Sequence, residues 1–154
     1  MNILLLGDIV GPSGRKAVTE KLPDIIKKKK LDFVVVNGEN AADQGVGITK
    51  KNVEEFLKAG ADVITTGNHV WDQKEAIEYI NVEKRLLRPQ NLVEGSPGNG
   101  FGIFKSKSNK KVAVINLMGN IFMKKCEDVF IEAKKFMERI KLNKEADFII
   151  VDMH

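Results

Sequence analysis

Disulfides cannot hold this chain together, because its 154 residues include a single cysteine, Cys126. A lone thiol suits a reducing compartment, and a cytoplasmic location is expected. No apolar run approaches the roughly 20 residues of a membrane-spanning helix, so no membrane partner is expected. Met1-Asn2 leads straight into a strand-like run, without the basic region or cleavage site of a secretory signal. Internal repeats, low-complexity segments and linkers are also missing. Residues 1–154 therefore read as a single domain, long enough for a sizeable core.

What is present is an ordinary globular composition, with 43% hydrophobic and 30% charged residues. The formal charge is +4, carried by lysines scattered over helix-like segments. The densest run, Lys27 to Lys30, closes the first predicted helix, where cations suit the macrodipole. No aromatic residues interleave with that run as stacking platforms. A solvated helix end is the favoured reading over a nucleic-acid patch, and no specific nucleic-acid binding is expected. The positive surface still helps to draw in a small anionic substrate.

Strand and helix patterns alternate along the chain. Ile3 to Leu6 is a short apolar run of the kind buried on both faces. Gly14 to Lys30 reads as a helix with an apolar stripe, kinked or interrupted at Pro23. Phe33 to Val36 is a second buried strand, and Thr49 an N-cap for a helix ending at Ala59 before Gly60. Val63 to Thr66 gives a third strand and Gln73 to Ile80 a short helix. Leu87 to Gly102 reads as a long ordered loop. Strands near Gly102 to Lys105 and Val112 to Leu117 flank a turn at Ser106 to Lys110. A helix over Glu127 to Lys141 and a strand over Phe148 to Val151 complete the pattern. The alternation predicts an α/β fold with right-handed crossovers and one largely parallel sheet.

In open α/β sheets ligands bind beyond the carboxyl ends of strands. Four apolar runs here lead at once into metal-capable or acid–base residues: Gly7-Asp8, Asn37-Gly38-Glu39-Asn40, Gly67-Asn68-His69 and Asp152-Met153-His154. Both histidines of the chain fall at such positions. Taken singly, each has a plain alternative. Asp8 suits a helix cap or turn, Glu39 and Asn40 can satisfy loop backbone, and a lone histidine is more often a surface or core residue than a ligand. Four sets converging on one sheet edge weaken those alternatives. The glycines at 7, 38 and 67 are expected to permit tight turns or close approach to a ligand. Carboxylates, an amide oxygen and imidazoles suit Mn²⁺, Fe²⁺ or Zn²⁺, and a carboxylate such as Glu39 can bridge two ions. Gly11 to Lys16 lacks the full spacing of a P-loop, and Ile9 stands where a dinucleotide fingerprint needs glycine.

These blocks resemble the signature motifs of the calcineurin-like metallophosphoesterases. More closely, the chain is similar to the YmdB-type branch of 2′,3′-cyclic-nucleotide 2′-phosphodiesterases. The likeness is carried by Gly7 to Gly11, Asn37 to Ala41, Gly67 to Asp72, Leu87 to Pro89, Ser96 to Gly98 and Asn116 to Met123. It implies a layered metallophosphoesterase-type α/β sheet flanked by helices and two divalent ions (Fe, Mn or Zn). Asp8, Glu39, Asn68 and His154 would be metal ligands, with Glu39 bridging. His69 would be the general acid toward the leaving alkoxide, and Asn40 would orient ligands or the substrate phosphate. Hydrolysis would proceed through a metal-activated hydroxide, opening the cyclic ester to a 3′-phosphate. Arg88 is a candidate phosphate ligand or a tie for the long loop, and Trp71 a base-stacking or core residue. The family's pattern runs on beyond residue 154 with two further histidines. A fragment of a longer enzyme with its C-terminal part missing is therefore expected, weakly active alone. The alternative is a catalytically inactive nucleotide- or phosphate-binding fragment with a regulatory role. An exposed apolar sheet edge makes homo-oligomerisation an option.

Overall fold

In a computed structural model that describes residues 1–154, strands and helices run in the order β1 (Ile3–Leu6), α1 (Gly11–Lys29), β2 (Phe33–Asn37), α2 (Lys50–Ala59), β3 (Val63–Thr65), α3 (Lys74–Val82), β4 (Phe101–Lys105), β5 (Lys111–Leu117), α4 (Val129–Arg139) and β6 (Phe148–Met153). The expectation of one largely parallel sheet is corrected. There are two three-stranded sheets, ordered β1-β2-β3 and β4-β5-β6. The first is wholly parallel. In the second, β4 and β5 form an antiparallel hairpin and β6 lies parallel to β5. The physical reason lies in side-chain alternation. An apolar run shows that both faces of a strand are covered, but not whether a helix or a second sheet covers them.

Alternation along β2 sorts the layers. Val34 and Val36 join Ile64, Leu22, Val53, Phe56 and Ile80 in a core between the first sheet and helices α1 to α3. Phe33 and Val35 point the other way and meet Val63, Leu87, Val112, Val114 and Ile150 between the sheets. Ala113, Ile115 and Leu117 then face Val129, Phe136 and Ile140, so α4 covers the outer face of the second sheet. The result is an α/β/β/α stack, the layered arrangement that the family resemblance implied. β1 departs from its expected burial on both faces, because it is an edge strand and Leu5 is 58% exposed.

Local signals account for most element ends. The Thr49 side chain accepts the Asn52 N–H at 3.1 Å, and Asn52 returns a bond to the Thr49 N–H at 3.0 Å. This is a capping box that satisfies two orphan donors. Gly60, at φ 108°, stops the helix. α1 begins at Gly11 with Pro12 in its first turn, where a fixed φ suits helix entry. It also runs past Pro23, contrary to the expected break, because Leu22 and Ile26 on either side pack into the helix-side core. Asp128 caps α4 by accepting the N–H groups of Phe130 and Ile131, each at 2.9 Å.

Candidate active site

Parallel pairing of β1, β2 and β3 brings the residues after each strand to one edge, and the stacked second sheet delivers His154 from the end of β6. The sets therefore converge across two sheets. Asn40 Nδ2 donates to both Asp8 carboxylate oxygens at 3.0 Å and to Glu39 Oε1 at 3.2 Å. His154 Nε2 lies 2.7 Å from Asn68 Oδ1, and its Nδ1 lies 3.2 Å from Glu39 Oε2. That last contact is close but not aligned for hydrogen bonding, so Glu39 Oε2 is a buried acceptor with no partner. Burial, then repulsion from Asp8, pushes the Glu39 carboxyl up to about 7. Burial also lowers the His154 imidazole. Both groups are thus biased toward neutrality in the absence of a cation.

The glycine expectations separate. None of Gly7, Gly38 and Gly67 has positive φ, so none is there for a left-handed turn. A side chain at Gly7 would meet no other part of the protein. At Gly38 a Cβ would press on Ile48 and Phe56 of the core, and at Gly67 it would overlap the Glu39 carboxylate and crowd the His154 ring. Gly67 is therefore the position where close approach matters to the site.

His69 makes its hydrogen bond outside this cluster. Its Nδ1 lies 2.6 Å from Asp72 Oδ2. A carboxylate at ordinary pH only accepts, so Nδ1 carries the proton and Nε2 is left to exchange one. Asp72 belongs to the stretch Gly67 to Asp72 but carried no role in the sequence reading; the signal was its i, i+3 spacing from His69. Arg88 ties the long loop, the second of its two readings. Its guanidinium donates to the carbonyls of Pro89 (2.7 Å), Pro97 (3.0 Å), Gln90 (3.3 Å) and Ser96 (3.3 Å), and it is buried. Trp71 packs against the helix-side core, the second of its two readings.

Beneath the cluster lies a polar bolt that the sequence reading missed. Asn116 Oδ1 accepts the Thr66 N–H at 3.1 Å, and its Nδ2 donates to the Asp152 carbonyl at 3.3 Å. Asn37 Nδ2 donates to Asp152 Oδ2 at 3.1 Å, while its Oδ1 accepts the Glu39 N–H at 3.2 Å. The Thr66–Asn116 and Asn37–Asp152 bonds tie the first sheet to the second, the Asn116–Asp152 bond joins β5 to β6, and the Asn37 Oδ1 bond holds the strand end to Glu39. An amide inside the otherwise apolar run Val112 to Leu117 was the available signal, since buried amides must be paired.

The donors fit a divalent cation in kind. Two carboxylates, an amide oxygen and an imidazole gather around one buried oxygen without a partner, and Asn40 places the positive end of its amide between the carboxylates. Histidine, cysteine and acidic side chains alone make no group of three at ligand distances, so the fit is one of donor chemistry that includes the Asn68 amide oxygen. An open concavity of about 510 Å³ between α1 and α2 is lined by none of these residues.

The model of a family described as YmdB-like protein matches residues 4–154. The chain belongs to that family. It is 41% identical over 154 residues to a Bacillus subtilis (strain 168) protein named 2′,3′-cyclic-nucleotide 2′-phosphodiesterase, covering all of this chain and 57% of that protein. Among solved structures, a hypothetical protein from Thermus thermophilus matches with a TM-score of 0.89 and 34% identity, over 100% of this YmdB-like chain and 57% of the other. A Mycoplasma pneumoniae protein titled a novel phosphatase matches with a TM-score of 0.85 and 31% identity, over 97% of this chain and 53% of the other. The chain thus spans a little over half the length of the curated relatives it matches. No helix is long and apolar enough to cross a membrane.

Proposed function

We propose that the YmdB-like chain carries the strand-end part of a metal-dependent phosphodiesterase centre that hydrolyses 2′,3′-cyclic nucleotides to 3′-phosphates. The observation that carries this reading is the buried, partnerless Glu39 Oε2, which lies 3.2 Å from His154 Nδ1, whose Nε2 in turn meets Asn68 Oδ1. The name of the Bacillus subtilis relative supports the substrate class. Asp8, Glu39, Asn68 and His154 would hold divalent ions (Mn, Fe or Zn). When bound, such ions supply Lewis-acid activation of water and neutralise charge developing on phosphorus. Asn40 fixes the orientation of both carboxylates. His69, held by Asp72 with Nε2 free, delivers a proton to the leaving 2′-oxygen.

Four donors suffice for one tetrahedral ion rather than two, so the 154 residues alone are expected to turn over slowly. Calorimetric titration with Mn²⁺ should give about one site, lost in Glu39→Gln. Hydrolysis of adenosine 2′,3′-cyclic phosphate, followed by chromatography, should yield the 3′-phosphate. His69→Ala should slow it by about 10²–10⁴-fold with Mn²⁺ binding intact. Failure to cleave any phosphodiester, both in this chain and in one extended to its relatives' full length, would overturn the reading.

A further inference from the structure

β5 runs parallel to β6, so the segment that leaves β5 after Leu117 emerges at the same edge as His154. No role in the centre has yet fallen to it. Its neck is closed by amide side chains. The fully buried Asn91 accepts the Met118 N–H at 2.9 Å and donates to the carbonyls of Met118 at 2.7 Å and Glu127 at 3.0 Å. Asn120 donates to the Glu127 carbonyl at 3.0 Å and accepts the Val129 N–H at 3.1 Å. The Gly119 N–H donates to the His154 carbonyl at 2.9 Å. Beyond these ties the tip reads Ile121-Phe122-Met123-Lys124-Lys125. Ile121 is 77% exposed and Phe122 is completely exposed. Phe122 also adopts φ 59°, a left-handed conformation that is unfavourable for a bulky side chain. Compact surface loops with tied ends are frequently functional. A fixed neck that holds a phenyl ring in water gives the isolated chain no burial in return.

We infer that Phe122 is a stacking platform for the base of a nucleotide whose phosphate lies at the strand-end cluster, with Lys124 and Lys125 adding positive charge beside it. This rests on the nucleotide phosphodiesterase reading above and deepens it. Phe122 is three Cα steps beyond Gly119, so its Cα lies within about 11 Å of the residue bonded to His154. That reach suits a ligand extending from phosphate across a sugar to a base. Trp71, the other aromatic near the site in sequence, is half-buried and packs one side against the helix-side core, whereas the Phe122 ring is wholly free. Stacking tolerates any base, so purine and pyrimidine nucleotides should both profit, while a phosphate ester without a base should not.

The test compares Mn²⁺-dependent binding of adenosine 3′-monophosphate with that of glycerol 3-phosphate, which carries the same charged group and no base. Calorimetry on the chain should give about tenfold tighter binding of the nucleotide. Phe122→Ala should collapse that ratio toward one, and Phe122→Trp should restore it. The side chain makes no burial of its own, so its removal leaves the fold intact, as circular dichroism would verify. A ratio near one in the unmodified chain, a ratio unchanged in Phe122→Ala, or no binding of either ligand overturns the inference. So does light scattering that shows Phe122→Ala dissociating an oligomer with the ratio unchanged, since the ring then serves a second copy of the chain. The enzymatic reading is tested separately by hydrolysis of bis(p-nitrophenyl) phosphate. Cleavage of that diester without a nucleotide preference would remove the platform and leave the phosphoesterase standing.

Discussion

The two flanks of the sandwich treat similar residues differently. On the flank beside β3, the chain doubles back and seals the stack. The Ile64 N–H donates to the Arg85 carbonyl and the Leu87 N–H to the Ile64 carbonyl, each at 2.8 Å, and the Arg88 N–H reaches the Asn99 carbonyl at 3.0 Å. Leu86 and Leu87 are at most 1% exposed there. On the opposite flank β1 and β6 are both edge strands, and Leu5 is 58% and Val151 51% exposed. The site draws on both. Asn68 comes from the sealed side, Glu39 from the central strand β2, and Asp8 and His154 from the open side. Rigid and yielding supports therefore meet at one cluster, and the polar bolt is what holds them in register.

Leucine truncation gives the sharpest contrast. Leu87→Ala should cost about 2–5 kcal/mol, because it empties a fully buried space between the sheets. Leu5→Ala, on the same inter-sheet face but at the open edge, should cost under about 1 kcal/mol, since much of that side chain already meets water. Paired urea denaturation curves measure both. Equal losses would mean that the β1 flank is covered in solution, and would break the comparison.

The bolt comes next. Asn116→Ala should cost about 1–3 kcal/mol, because the buried Thr66 N–H loses its acceptor and the Asp152 carbonyl a donor. The larger consequence is expected in binding. Thr66 stands two residues before Asn68, and Asp152 two before His154, so slack between the sheets separates two donors that now sit 2.7 Å apart. Mn²⁺ affinity should fall by about 10–100-fold, the usual loss when a partner that orients a ligand is removed. An affinity drop no larger than that of a Val114→Ala control would show that Asn116 only stabilises the fold.

How far the sequence disclosed this molecule follows from what each signal measures. Periodicity located every strand and helix, because alternation and capping are local: Thr49, Gly60 and the apolar run of β2 needed no tertiary knowledge. It failed at the pairing of layers, since Val34 and Phe33 look alike although one meets a helix and the other a sheet. The strand-end residues Asp8, Glu39, Asn40, Asn68 and His154 were legible because each follows directly on an apolar run. Arg88 was less so, since a guanidinium suits four loop carbonyls as readily as a phosphate. The sheet-joining role of Asn116 and Asn37 was hidden because their partners lie far along the chain, up to 115 positions away for the bond from Asn37 to Asp152. The glycine argument failed for turns, since none of the three has positive φ, and only structure shows that Gly67 is crowded by Glu39 while Gly7 faces open space.

The smallest expected effect sharpens the sealed flank in acid. Glu83 ends α3 just before the Arg85–Leu87 segment seals that side, and its carboxylate takes hydrogen bonds from the Arg85 side chain at 2.9 and 2.7 Å and from the Arg85 N–H at 3.0 Å. The guanidinium bonds, more than the backbone bond, hold the Glu83 carboxyl below its ordinary value. A carboxyl lowered in the folded state adds stability that is fully present above its unfolded value near 4.5. That stability disappears as pH falls through the lower folded value. Arg85 is about half exposed, so solvent screening limits the contribution to less than about 1 kcal/mol. Glu83→Gln should accordingly lower stability by a few tenths of a kcal/mol at pH 7. The difference from the unmodified chain should shrink steadily below pH 4.5 and vanish in strong acid. Thermal melts across pH 3–7 would show it, and a gap that widens toward acid would reverse the sign of the argument.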